Sequence, residues 1–274
     1  MKQSTLNKKT DIQLKHLQHV ILHIMKDIDE LCRKNGIEYY LLGGSAIGAI
    51  RHKGFIPWDD DLDIIMNNVN YEKFIRVCHE QLNHKKYFLQ VGLKDWPIYF
   101  TKVRLKGTIL EEHEGYATNK DMKGIFIDIF KMDNVSSNPI IARWQYFCGK
   151  LYLCYQLSQR TYHSASLKKK VMMMFAFPLK FKPLRNFIKY QVEKYNNKPS
   201  EFYGFFYGRT RYKSSIVKSS LFGTPKRVQF EDTQLPVPEH CHEYLSQVFG
   251  NYMELPPKEK RIGLHVLSVD FGSY

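Results

Sequence analysis

Four aspartates fall within five positions: Asp59, Asp60, Asp61 and Asp63, in the stretch LLGGSAIGAIRHKGFIPWDDDLDIIM that runs from Leu41 to Met66. Side chains two apart on a strand share a face, so Asp61 and Asp63 are expected to project together, with Asp59 continuing the row if the strand extends back. Carboxylates this close repel, and burying them without a counter-charge is costly. A divalent cation relieves both costs, and an all-oxygen set suits Mg²⁺ or Mn²⁺ shared with substrate phosphates. The bland alternative is an acidic turn whose carboxylates face water. Gly43-Gly44-Ser45 lies in the same window, after a β-type run and at the start of a helix-forming one. Glycines there let backbone N–H groups approach a phosphate, a helix N-terminus attracts anions, and Ser45 adds a hydroxyl donor. A further acid is needed to complete a metal site or to serve as base. The candidate is Asp128, alone in the apolar run Gly124–Phe130, where the competing reading is a buried carboxyl held by backbone amides. Lys102 and Arg104, two apart on an expected strand, are candidates for binding phosphate; the alternative is a solvated strand face.

The elements that must position these residues are legible in outline. Leu14, Leu17, Ile21, Ile24, Ile28 and Leu31 recur at helical spacing, residues 1–10 are polar and expected to fray, and Asn35-Gly36 ends the helix. Ile37–Leu42 reads as a short strand and Ala46–Arg51 as a helix start. Gly54–Asp60 is a turn-rich connection, and Leu62–Met66 a strand. Tyr71–Leu82 reads as a helix with Asn70 as its N-cap. Residues 87–91, 99–105 and 125–130 are expected strands. Residues 139–195 turn helical, Leu235–Pro238 is proline-rich, and Cys241–Val248 is a helix closed by Gly250. The sum is an α+β fold, a mixed sheet flanked by helices, with a largely helical basic segment. The expected divisions are 1–135 as catalytic core, 136–220 as the basic segment and 221–274 packing back on the core, all in one structural unit.

The chain has 274 residues, 43% hydrophobic and 25% charged, which excludes a wholly disordered or collagen-like protein. No apolar run reaches the ~18–20 residues of a transmembrane helix. The N-terminus has no apolar core of a signal peptide, and the five cysteines form no CxxC pair, so a cytoplasmic protein with reduced thiols is expected. His240-Cys241-His242 is a weak metal candidate without a second ligand pair nearby. The formal charge of +14 is concentrated: residues 141–220 carry 16 Lys/Arg against 2 Asp/Glu, and the rest of the chain is balanced. Such asymmetry suggests a polyanionic partner. Within it, residues 165–190 interleave lysines and arginines with Met and Phe, the pattern of an element lying on an anionic bilayer surface; the alternative is a buried helix with a solvated basic face.

The Gly-Gly-Ser turn, the helix, the Asp-x-Asp and a later strand Asp together resemble the nucleotidyltransferase-fold signature. More specifically, GGSAIGAIRHKGFIPWDDDLDI, FIDIFKMDNV and FGNYMELPPKEKRIGLH resemble segments of the LicD family of bacterial phosphorylcholine transferases, with the fukutin proteins as distant relatives. The resemblance spans Asp27 to His265. It implies a nucleotidyltransferase-like fold and metal-dependent transfer of a phospho-alcohol, foremost phosphocholine from CDP-choline, to a sugar hydroxyl of a teichoic acid, capsule or lipopolysaccharide precursor, releasing CMP. It further implies Asp61, Asp63 and Asp128 as catalytic and metal-binding residues, with Asp59 a further metal ligand. Gly43, Gly44 and Ser45 would cradle the donor phosphates, and Arg51, Lys53, Lys102 and Arg104 would neutralise them. Trp58 is the candidate wall of an aromatic cage for choline, with a packing residue that shapes the loop as the favoured alternative. The lipid-linked acceptor would place the protein at the inner membrane face, with residues 165–190 in peripheral contact. The competing readings are a glycerol-phosphate or ribitol-phosphate transferase using a CDP-linked donor, an RNA nucleotidyltransferase, and a non-enzymatic membrane scaffold. Nucleic acid is the least favoured partner.

Overall fold

The computed structural model describes residues 2–96, 98–112, 120–159, 171, 174, 176–206, 210–261, 263 and 266–274, without the side chains of residues 2–12. Helix α1 spans Lys2–Lys34. Residues 2–10, expected to fray, continue it, for they hold neither glycine nor proline to stop it. Its apolar face, from Leu17 through Ile21, Ile24 and Ile28 to Cys32, is buried. Gly36, at φ +56, ends it in the left-handed conformation that glycine adopts without strain.

Strands β1 (Tyr40–Leu41) and β2 (Asp63–Asn67) enclose helix α2 (Gly43–His52) in sequence and pair antiparallel in space. Helix α3 (Asn68–Gln81) follows β2 directly. Its N-cap is Asn67, whose side chain accepts from the Asn70 N–H at 2.9 Å, so the helix begins three residues before the expected start. Strands β3 (Tyr87–Gln90), β4 (Thr101–Leu105), β5 (Ile109–Glu112) and β6 (Phe126–Val135) come next. The main sheet has the order β1-β2-β6-β4-β3, with β2 and β6 parallel and the other pairs antiparallel.

Helices α4 (Pro139–Ser158) and α5 (Lys182–Glu193) are the long helices among the described residues of the basic segment. Strands β7 (Phe202–Gly204) and β8 (Ile216–Lys218), separated by the one-turn helix α6 (Tyr212–Ser215), extend the far end of β6. The hairpin β9 (Lys226–Phe230) and β10 (Thr233–Val237) is not expected from the sequence, where Pro236 argues against a strand; the hairpin forms a separate two-stranded sheet. Helix α7 (Cys241–Phe249) and strand β11 (Val266–Asp270), which pairs with β5, complete the fold.

One hydrophobic core joins α1, the sheet and α3 to Phe222, Phe230, Leu235, Tyr244 and Tyr252 of the C-terminal part. A second core, with Cys148, Tyr152, Leu179, Ile188, Val192 and Phe206, lies under the basic segment. Lys131 ties the two regions together. Its ammonium lies 3.1 Å from Glu193 on α5 and 3.6 Å from Asp133, and Asn196 and Tyr99 also donate to Asp133.

Candidate active site

The side-chain alternation of the sheet collects the chemistry on one face. Asp63 on β2 is in register with Asp128 on β6, and Asp128 with Lys102 on β4. Three strands thus present carboxylate, carboxylate and ammonium in one row. Ile64, Ile127 and Ile129, on the opposite face, belong to the hydrophobic core. The lone acid in the apolar strand is therefore explained by the pleat: its neighbours face the core, and it faces the site.

The other three aspartates reach this row differently from the expectation. Strand alternation does not extend back through them, because β2 begins only at Asp63. Asp59, Asp60 and Asp61 lie on a turn after Pro57, and one carboxylate oxygen from each falls within 4.8 Å of the others. The turn is clamped from α1, where the Gln18 side-chain amide donates to the Asp59 carbonyl at 2.8 Å and to the Ile56 carbonyl at 3.2 Å. Asp60 is anchored in turn by the C-terminal part: its carboxylate accepts from the Val266 N–H at 3.2 Å. A Cβ on Gly263 would come within 2.7 Å of the same oxygen.

Burial, reinforced by Asp61 and Asp60, pushes the Asp59 carboxyl up to about 8. Burial together with Asp61, Asp128 and Asp59 raises Asp63 well above the usual carboxylate range. Burial raises Asp128 to about 6 against the pull of Lys102, whose ammonium is 3.0 Å away. Carboxylates that are crowded and desolvated in this way fit a hard divalent cation, which supplies the missing positive charge to an all-oxygen set.

The Gly-Gly-Ser turn opens α2 directly beside the acids. Gly43 takes φ +53, and a Cβ on Gly44 would stand 2.9 Å from Asp59 Oδ2, so glycine at 44 is what lets the acidic turn close on the helix N-terminus. Ser45 also anchors the neighbouring strand, since its Oγ accepts the Asp63 N–H at 2.9 Å and fixes the first residue of β2.

The other basic and aromatic candidates are distributed unevenly. Lys102 is central. Arg104 is buried and turned to Gln90 at 2.6 Å, to the Gly124 carbonyl at 3.0 Å and to Glu112 at 3.4 Å. Glu112, 3.3 Å from Lys102, bridges the two cations; burial alone would raise it, but Lys102 and Arg104 hold it below the usual range. Arg51 donates to the carbonyls of Tyr252 at 2.6 Å and Glu254 at 3.2 Å, so its guanidinium braces the C-terminal segment. Lys53 is the exposed left-handed cap of α2. Trp58 packs on the core with the Arg261 guanidinium 5.5 Å over its ring, which places a cation of the protein where choline was expected. His242 bonds Tyr252 at 3.0 Å and Cys241 is buried. Gln18 and Glu112, which hold the site together, give no signal in the sequence beyond their polarity.

A cavity of about 280 Å³ opens against the same sheet face, bounded by Gly43, Gly44 and Asp63 at one end. Aromatic side chains supply much of its wall.

Comparison with known proteins gives a consistent result. Residues 36–197 match the family model described as LicD/FKTN/FKRP, nucleotidyltransferase domain. The chain is 31% identical over 274 aligned residues to the lipopolysaccharide cholinephosphotransferase LicD of Haemophilus influenzae, covering 93% of this chain and 97% of that one. A shorter likeness, 52% over 44 residues and 16% of each chain, links it to an uncharacterized protein of Rickettsia prowazekii.

Proposed function

From the premise that this chain belongs to the LicD family, a phosphotransferase with an α+β nucleotidyltransferase-like fold, we propose that it transfers phosphocholine from CDP-choline to a sugar hydroxyl of a lipid-linked cell-surface glycan and releases CMP. The observation that carries this reading is the row Asp63–Asp128–Lys102 beside the acidic turn and the N-terminus of α2. Full-length likeness to a lipopolysaccharide cholinephosphotransferase supports the choice of phosphocholine and of a lipopolysaccharide-type acceptor.

Asp59, Asp61 and Asp63 would hold Mg²⁺ or Mn²⁺, which supplies positive charge to the donor diphosphate and to the departing phosphate of CMP. The backbone at Gly44 and the helix N-terminus behind it favour the same negative charge. Asp128, oriented by Lys102, takes the proton of the acceptor hydroxyl as its oxygen bonds to phosphorus and the bond to CMP breaks. Lys102 then balances the growing charge around the transferred group.

The basic segment supplies the meeting place with a lipid-linked acceptor. Phe181 (66% exposed), Phe187 (51%) and Tyr190 (61%) on or beside α5 are exposed, as are Ile140, Trp144 and Phe147 on α4. The Trp144 indole donates to Gln191 of α5 at 3.3 Å, which joins the two faces. Lys180, Lys182, Arg185 and Lys189 flank them, a composition suited to anionic headgroups. Residues 165–170, 172, 173 and 175 of the expected membrane element lie outside the described residues. No described helix is long and apolar enough to cross a membrane, so the contact proposed is peripheral.

The test is transfer of labelled choline phosphate into the host's membrane glycan fraction. Label that enters with wild-type protein and stays in the donor with Asp128→Asn supports the reading. Transfer of labelled ribitol phosphate or glycerol phosphate instead would replace the alcohol while keeping the reaction.

A further inference from the structure

Resting on that reading, we infer that the cavity beside the acids is the receptor for the donor's quaternary ammonium, walled by Phe130, Tyr203, Phe205, Phe222, Tyr244 and Phe249. Its floor is the sheet face that carries the acids. Ile65 on β2 is in register with Phe130 on β6, two residues beyond the Asp63–Asp128 pair. Two residues along a strand advance roughly 6.7 Å. A phosphate held at the acids and the turn would therefore place a short charged arm over Phe130, which suits the ethylene link of phosphocholine.

The walls present rings in several orientations. Phe130 meets Phe205 edge-on at 5.3 Å, Tyr203 meets Phe222 at 5.8 Å, and Phe222 meets Tyr244 at 5.2 Å. Phe249, at the end of α7, stands at the α2 end: a Cβ on Gly43 would lie 3.8 Å from its ring. A cation among such faces is held by the ring quadrupoles without needing a hydrogen bond.

Two of the hydroxyls that line the cavity are already paired with each other. The Thr210 and Ser215 hydroxyls bond each other at 2.6 Å, and Ser215 is also bonded to the Thr210 carbonyl at 3.3 Å. A polyol would have to compete with that pair to use these two hydroxyls, whereas trimethylammonium needs no hydrogen bond from them.

The test compares phosphocholine with its neutral carbon isostere, 3,3-dimethylbutyl phosphate, by isothermal titration of the full chain with Mg²⁺ present. The wild type is expected to prefer phosphocholine by ~10-fold, and Phe130→Leu and Phe249→Leu, which keep the apolar bulk and remove a ring, are expected to lose most of that preference. Phe249 is 47% exposed, so its variant keeps the test usable if Phe130→Leu fails to fold. Equal binding of the two probes by the wild type, absence of phosphocholine binding, or an unchanged preference in both folded variants would overturn the cavity's role. Failure of the reaction reads differently: charge preference without CMP release from CDP-choline would leave the receptor standing and remove the transfer, while CMP release without charge preference would do the reverse.

Discussion

Removing one carboxylate from the acidic turn should stabilise the metal-free protein and abolish its response to metal. In the folded chain Asp59 is raised from 3.8 to about 8, first by burial and then by Asp61 and Asp60. A carboxyl whose folded value exceeds its unfolded value contributes stability that is full below about pH 4 and lost as pH rises through about 8. At ~1.4 kcal/mol per pH unit, a gap of about 4 units corresponds to roughly 5 kcal/mol over that window. For a chain of this size ~1 kcal/mol moves Tm by about 2 °C, so Asp59→Asn in EDTA at pH 8 should melt about 5–10 °C above wild type. At pH 4.5 the two should nearly coincide. Mg²⁺ at 100 times its dissociation constant should add ~2.7 kcal/mol to the wild type at pH 8, and little to the variant. Differential scanning calorimetry in EDTA and in Mg²⁺ at both pH values gives the answer. A variant that melts below wild type at pH 8 in EDTA, or that keeps the full Mg²⁺ shift, would refute the turn's role as a metal-binding carboxylate set.

Three further outcomes are expected. Gly44→Ala brings a methyl within 2.9 Å of Asp59 Oδ2, so kcat should fall by more than ~10-fold while the circular dichroism spectrum is retained; an unchanged kcat would count against the cradle. Lys131→Met leaves Asp133 buried without its cation and should destabilise the chain by about 3–5 kcal/mol in urea titration, with m unchanged; a loss under ~1 kcal/mol would show that Asn196 and Tyr99 suffice. Phe181→Ser with Phe187→Ser should lower partitioning onto anionic vesicles by ~10-fold or more, and vesicles of zwitterionic lipid should bind weakly from the outset; equal binding to both vesicle types would remove electrostatics from the contact.

The row Asp63–Asp128–Lys102 was legible in the sequence because a charged residue in an apolar strand pattern has few inexpensive explanations. Asp128 announces itself within GIFIDIF, whereas α2 starts at Gly43, three residues before the helix start expected at Ala46. The arrangement of the acidic turn was not legible. Alternation assigns Asp59 and Asp61 to one face, but the strand starts at Asp63, and the turn is shaped by Gln18, 41 residues before Asp59 in the chain. Long-range partners of this kind leave no periodic trace. The same holds for Glu112, which neutralises two basic residues that spacing alone offers to a phosphate. Trp58 takes the packing role that was the favoured alternative. Its nearness to the acids in sequence made it the aromatic candidate, yet Arg261 covers its ring, and the cavity's rings come from β6, β7 and the C-terminal part. The β9–β10 hairpin was hidden by Pro236, tolerated because its strand belongs to a sheet of only two.

The most direct test of the central claim is CMP release from CDP-choline by the full chain, with Mg²⁺ and a host membrane extract as acceptor, beside CDP-glycerol, CDP-ribitol and an Asp63→Asn control. Release from CDP-choline is predicted, disappearing with EDTA and falling by more than ~100-fold in the variant. Absence of release from every donor by folded wild-type protein, or full activity in Asp63→Asn, would contradict it.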